Sequence, residues 1–271
     1  MKLDADFRLR VEREQKAHTE RDVLAKNSLI KSRFPHVAQY PSKRRVFALI
    51  NSFTNDLAGK TVLDYGCGRG IESLEYLKHG AAKVYGIDIS PVYIEDATNT
   101  ALSAGLNKEI FSFRVMDAHI LDFDDYTFDL VVGFGIIHHL DPVIALREIY
   151  RVLKPGGRVL LLEPLADNPL LKLFRMLTPS ARSEDESPLT GRQIVKLVAL
   201  HPWQTQVAYC GLLEAPAAMI TSILIPKLTD NSLLRLIDCI ERWTHRKSVL
   251  LSWNQYVLLN MIKSGSVDKY T

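Results

Sequence analysis

The stretch VLDYGCGRGIES, residues 62–73, decides the fold. A short apolar run leads into three glycines within five positions, Gly66, Gly68 and Gly70. That spacing suits a strand that ends in a tight loop and turns straight into a helix. Glycines there reach positive φ and let a ligand come close to the backbone. The helix that follows aims its free amides at the same spot. A dinucleotide site would read Gly-x-Gly-x-x-Gly, but the third place holds Ile71 and the glycine comes one residue early, at Gly70. A phosphate loop would end in Gly-Lys-Ser/Thr, which is absent. The stretch also carries Asp64, an acid poorly placed to meet a pyrophosphate and well placed to meet an ammonium group.

Working outward, strands alternate with helices. KTVLDYG, KVYGIDI, IFSFRVMDA, FDLVVGFG and RVLLLEP read as five strands. The helices between them start with Ser90-Pro91 and Asp141-Pro142, each a cap residue followed by a first-turn proline. The second of these runs as VIALREIYRVLKPGG, and glycines close others at Gly80 and Gly105. This rhythm predicts βαβ units and a parallel sheet. The strands are nearly continuous in Val, Leu and Ile, as expected where helices cover both faces. Beyond Pro164 the rhythm breaks. TGRQIVKLVAL opens with a capping box, Thr190 with Gln193, and predicts a helix. WQTQVAYCGL and LSWNQYVLLNMI predict two further strands, making seven. The resulting division is a helical N-terminal extension or lid over 1–55 and one α/β domain over 56–271, with cap insertions at about 165–189 and 213–249. Within the first part, Phe7, Val11, Val23, Leu24 and Ile30 form only a thin apolar stripe, and a second amphipathic piece spans 42–53.

Composition narrows the function. The chain has 271 residues and a net charge of +3, with Lys43-Arg44-Arg45 the one basic cluster that stands out, so a nucleic-acid partner is not expected. Cys67, Cys210 and Cys239 are scattered, without metal-ligand spacing, and read as reduced thiols of a cytoplasmic protein that needs no metal. The first 22 residues are too charged for a signal peptide. The apolar stretch APAAMITSILIP has 12 residues, too short for the roughly 20 that cross a bilayer.

Three acids follow strand ends. Asp64 opens the glycine loop; Asp88 comes 22 residues after Gly66, where a carboxylate can accept from two ribose hydroxyls; Asp117 ends the third strand. Such a trio suits a nucleoside carrying an amino acid. VLDYGCGRG, VYGIDIS, VMDAHIL, FDLVVGFGIIHHL and IYRVLKPGGRVLLLEP, in this order over about 60–164, resemble the motifs of class I S-adenosylmethionine-dependent methyltransferases. The resemblance implies a Rossmann-like, seven-stranded, mostly parallel sheet with an antiparallel last strand. It implies S-adenosyl-L-methionine as cofactor and S-adenosyl-L-homocysteine as product. By it Asp64, Gly66, Cys67 and Gly68 hold the methionine portion, Asp88 and Ile89 the ribose and the adenine edge, Asp117 and Ala118 the adenine, and Gly133 and Phe134 line the cofactor. The region after the fifth strand resembles the small-molecule, natural-product branch, which commonly reads Asp-Glu-His-Pro-Leu; here Ser187 stands in place of the histidine, so that residue's role does not carry over.

For the reaction, His138 and His139 follow the fourth strand and are candidate bases, His139 first; Glu163, ending the fifth, is expected to face the acceptor. His18 enters the site if the first helix is a lid, and Tyr40 and Trp203 are aromatic candidates for the pocket wall or the core. Apolar residues of the second insertion, among them Met219, Ile220, Leu224, Leu234 and Ile237, suit a roof over a small hydrophobic acceptor, a dimer contact, a membrane surface or plain core. Two other readings stay open: a methyltransferase of peptide or protein termini, and a non-catalytic protein that binds the same cofactor. The sequence also leaves room for a homo-oligomer.

Overall fold

The computed structural model describes residues 12–13, 15–16, 32–169, 172, 187–228, 231–244 and 248–265. Its centre is one sheet of seven strands: β1 Thr61–Tyr65, β2 Lys83–Asp88, β3 Phe111–Val115, β4 Phe128–Phe134, β5 Leu153–Pro164, β6 Trp203–Cys210 and β7 Tyr256–Lys263. They lie in the order β3-β2-β1-β4-β5-β7-β6. All neighbours are parallel except around β7, which runs antiparallel to both β5 and β6. The order reverses between β1 and β4. In an open α/β sheet that reversal opens a crevice at the carboxyl ends of the strands.

The helices follow their local signals. After a short 3-10 turn at Pro35–Ala38 come α1 Pro41–Thr54, α2 Ile71–Lys78, α3 Pro91–Ser103, α4 Pro142–Val152, α5 Gly191–Val198, α6 Glu214–Leu224 and α7 Ser232–Thr244. Ser90 accepts from Tyr93 N ahead of α3, Asp141 accepts from Val143 N and Ile144 N ahead of α4, and Thr190 and Gln193 form the capping box of α5. In α4 the buried residues are Ala145, Leu146, Ile149 and Val152, one stripe turned to the sheet. Its last turn is held by Lys263, whose buried ammonium donates to Tyr150 O and Leu153 O.

The core has two parts. One contains Leu63, Ile87, Val131, Val159, Leu161 and the inner faces of α4 and α5. The other contains Val62, Val84, Leu130, Leu160 and Leu258 together with Val46 and Ile50 of α1 and small residues of α6. Alternate residues of the same strands enter opposite parts, as the two-residue period of a strand requires. Tyr40 is fully buried in the second part, and Trp203 packs half-buried against the first, so both serve the core. His18 and the apolar stripe of the first helix lie outside the described residues, as do Asp185 and Glu186.

Three elements depart from expectation. LKPGG belongs to β5, not to α4: Leu153 is already extended and pairs with Phe128, and the register shifts before Leu130 meets Arg158. A residue so close to Pro155 leaves the helical region easily, and Gly156 turns the chain at φ +77°. β7 starts at Tyr256, because 251–255 form a turn in which Asn254 N donates to Leu251 O. The large apolar residues of α6 and α7 are mostly not core: Leu234 is buried, but Ile220, Ile223, Leu224 and Leu236 face outward.

Candidate functional site

The crevice at the carboxyl ends is built from adjacent strands. At the end of β1, Gly66 and Cys67 both donate their amides to Ile87 O of β2, at 3.0 and 2.8 Å. Gly68 N donates to Asp88 Oδ2 at 2.9 Å, while Asp88 Oδ1 accepts from Ser90 N at 2.9 Å. The acid at the end of β2 therefore clasps the glycine loop and shapes the turn into α3. Gly66 sits at φ +81°, and a Cβ there would meet the Ile136 side chain at 3.0 Å. Gly68, at φ +51°, faces open space: a Cβ there would meet nothing within 4 Å. The loop thus offers bare backbone to a ligand on one side and is packed on the other.

Asp64 is buried and accepts from Ser73 Oγ at 2.5 Å. Burial lifts its carboxyl to about 7; the Ser73 bond opposes this, and Glu72 and Asp88 add to it. A buried acid held near neutrality is a place where a cation is welcome. Cys67 is buried beside it, and desolvation, reinforced by Asp64 and Asp88, pushes its thiol far up, so it is a protonated spacer in the loop.

On the other side, Asp117 lies two residues past β3. Its Oδ1 accepts from His119 N at 2.9 Å and pairs with His119 Nδ1 at 2.7 Å. Burial would raise this carboxyl, but the bonds from His119 outweigh it and hold it below its ordinary value. His119 Nε2 in turn accepts from Asp141 N at 2.8 Å, so one buried ring links the loop after β3 to the cap of α4. The Tyr65 hydroxyl donates to Ala118 O and ties the same loop to β1. Ile89, Gly133 and Phe134 stand at the ends of β2 and β4, with Ile136 packed against Gly66 and Gly133 at the floor of the reversal point.

Glu163 is fully buried and faces the turn after β4. Oε1 accepts from Ile136 N at 3.0 Å and Ile137 N at 2.9 Å; Oε2 accepts from His138 N at 3.3 Å and pairs with His138 Nδ1 at 2.8 Å. The carboxylate gathers the amides of Ile136, Ile137 and His138 at the start of the 3-10 turn Ile137–His139 and orients one imidazole. That imidazole is His138. His139 is half-buried and lies against the His138 ring at 4.1 Å between centroids. Ser187, where the related branch carries histidine, donates its amide to His138 O at 2.9 Å.

The described site thus brings Asp64, Gly66, Cys67, Gly68, Asp88, Ile89, Asp117, Ala118, Gly133 and Phe134 to four neighbouring strand ends, with His138 and His139 in the turn after β4 and Glu163 at the end of the next strand, β5. Sequence reading missed Ser73, His119 and Ile136. For His119 a signal existed in Asp-x-His, which lets an acid cap the loop and hold the ring at once; for Ile136 there was none.

Residues 63–161 match the family model of the methyltransferase domain. The 27-O-demethylrifamycin SV methyltransferase of Amycolatopsis mediterranei (strain S699) is 30% identical over 173 residues, which are 64% of this chain and 61% of that protein. The demethylmenaquinone methyltransferase of Lactococcus lactis subsp. lactis (strain IL1403) is 31% identical over 151 residues, 55% of this chain and 58% of that protein. The chain therefore spans about three fifths of the length of these relatives. Among solved structures, the [4+2]-cyclase SpnF superposes with a TM-score of 0.55 at 20% identity, covering 82% of this chain and 81% of that one, a likeness of fold. Residues 63–161 thus match a methyltransferase domain, and over 55–64% of its length the chain is similar to methyltransferases.

Proposed function

We propose that the protein transfers a methyl group from S-adenosyl-L-methionine to a small, apolar acceptor, leaving S-adenosyl-L-homocysteine. The observation that carries this is the clasp of Asp88 on Gly68 beside an open, side-chain-free face of the loop. The residues fit the cofactor. Asp64 would take its ammonium group, Asp88 its ribose hydroxyls with Ile89 alongside, Asp117 and Ala118 its adenine, and Gly66, Cys67, Gly68, Gly133 and Phe134 its remaining length. The bound cofactor supplies a sulfonium that makes its methyl electrophilic.

The chain's own residues do the rest. Holding two reactants in line contributes roughly 7–11 kcal/mol in favourable cases. Where the acceptor must lose a proton, His138 is the base that the geometry favours over His139. With Nδ1–H donating to Glu163, the basic nitrogen is Nε2, and the buried carboxylate stabilises the imidazolium that forms. Glu163 is then a positioning residue. The 3-10 turn at Pro35–Ala38 is tied to α6 through His36 N to Ser222 Oγ at 3.0 Å and His36 Nδ1 to Thr221 Oγ1 at 2.7 Å. This supports reading residues 1–55 as an extension that meets the insertion at 213–249; 165–189 is the second proposed cap insertion. The relatives' names, a rifamycin precursor and a menaquinone precursor, support a small acceptor. Three free cysteines, Cys67, Cys210 and Cys239, support a reducing, cytoplasmic setting. Oxygen, nitrogen and carbon remain alternative target atoms.

The test is direct. Calorimetry should show S-adenosylmethionine binding, and incubation with a panel of apolar hydroxyl and amine compounds should yield S-adenosylhomocysteine. Binding without turnover on any acceptor would favour the non-catalytic reading. Binding of NAD in place of S-adenosylmethionine would sink the proposal.

A further inference from the structure

Helix α7 is inside out. Its buried face carries Leu234, Thr244 and two acids, Asp238 and Glu241, while its outer face carries Leu236 at 60% exposure, Ile240 at 44% and Trp243 at 61%. An ordinary surface helix turns its apolar stripe inward. Here the acids are retained by specific bonds: Glu241 accepts from Gly211 N, Leu213 N and Glu214 N at 3.0, 2.8 and 2.9 Å, and Asp238 pairs with Arg45 at 2.5 Å. Helix α6, which packs on α7, repeats the arrangement. Its buried residues are Glu214, alanines, Thr221 and Ser222, and it exposes Ile223 at 68% and Leu224 at 72%.

The charges on this side have one sign. Each acid described between residues 214 and 244, Glu214, Asp238 and Glu241, is buried, whereas Lys227, Arg235 and Arg242 are exposed. The Lys43-Arg44-Arg45 cluster opens α1 and reaches the same side through the Arg45–Asp238 pair. Cations in the first turn of a helix oppose its dipole, so local helix stability does not account for them.

We propose that the outer face of α6 and α7, rimmed by these cations, docks on an anionic lipid bilayer. Exposed large apolar side chains, an interfacial tryptophan and flanking Lys and Arg are what such a surface takes up from an amphipathic helix lying in its plane. Among the described residues no helix is long and apolar enough to cross the membrane, so the contact is peripheral. A second copy of the chain fits worse: a two-fold contact sets the patch against itself, and here it would bring arginines against arginines with no exposed acid among the described residues of α6 and α7 to meet them. The proposal stands independently of methyl transfer.

The experiment is vesicle flotation with the full chain, using phosphatidylglycerol mixed with phosphatidylcholine in equal parts, and phosphatidylcholine alone. The protein should float with the anionic vesicles, be released by salt, and bind the neutral ones far more weakly. Arg235→Gln with Arg242→Gln should weaken binding roughly 25-fold, at about fivefold per cation. Ile240→Gln with Trp243→Gln should weaken it by at least about tenfold and shift the melting curve only slightly, because both side chains are exposed. Failure of the unmodified chain to float, or equal binding to both vesicles, would overturn the proposal. So would a stable dimer, seen by light scattering, that the Ile240 and Trp243 changes convert to monomer.

Discussion

Glu163→Gln separates the architecture of the site from its chemistry. The carboxylate receives four N–H contacts at 2.8–3.3 Å in a fully buried position. Hydrogen bonds to a charged group are worth about 1.5–3 kcal/mol each, against about 0.5–1.5 for neutral ones. A glutamine can keep its oxygen on Ile136 N and Ile137 N, so those two weaken by roughly 1 kcal/mol apiece. Its NH₂ would then face His138 N–H, donor against donor. It could satisfy Nδ1 only by forcing the ring proton to Nε2. The sum is a loss of about 3–5 kcal/mol, the range found when one partner of a buried pair is removed. For a chain of this size that lowers Tm by roughly 10 °C. If His138 is the base, the tautomer switch should also cut kcat by about 10²–10⁴-fold. Cofactor affinity should stay near its unmodified value, since Asp64 and Asp88 are untouched. Thermal melts, calorimetry and a pH–rate profile measure the three effects. A variant that melts with the parent would refute the buried clasp itself; one that melts early but turns over normally would refute only the base.

Three further outcomes follow from the same geometry. Asp64 is lifted to about 7, so below that pH it must shed a proton to meet an ammonium group; cofactor affinity should rise up to about tenfold per unit from pH 5.5 toward 7, and Asp64→Asn should flatten the rise in a calorimetric titration. Gly68→Ala places a methyl in open space at φ +51°, so it should cost only about 1–2 kcal/mol of stability while markedly weakening cofactor binding, whereas Gly66→Ala, blocked by Ile136, should destabilise more. Glu214 is raised to about 7, chiefly by burial, with the Ser42 bonds lowering it and Glu241 adding to the rise. Its protonated form favours the fold, so its contribution is complete below pH 4.5 and lost as pH climbs through 7, and Glu214→Gln should gain up to about 3 kcal/mol on the parent at pH 8 and little at pH 4.5 in denaturant titrations.

The sheet was readable because its signals are local. A glycine loop behind an apolar run, a proline after a cap residue and a capping box each act within a few positions, and β1 to β5 carry them in order. The residues proposed to hold the cofactor could be placed for the same reason, since each sits at or just past a strand end. What escaped was set by distant chain. Nothing near Glu163 says that it will gather amides 25–27 residues earlier in sequence, or that His138 rather than His139 receives its carboxylate. The outward turn of α7 was hidden in the same way, because Asp238 and Glu241 are drawn inward by Arg45 and by the amides of 211–214. A helical period shows that a stripe exists, not which way it faces when both sides have a claim on the interior.

The division of labour along the chain has an evolutionary corollary. The cradle comes from one continuous stretch, residues 64–134, braced by its own backbone and by Asp88, Tyr65 and His119. The layer around α6 and α7 is assembled from remote pieces that meet through Ser42, Gly211 and Glu241. Changes in the second can accumulate without disturbing the first. On the proposed function, a lineage is thereby free to exchange its acceptor while the glycine-loop cradle is inherited intact.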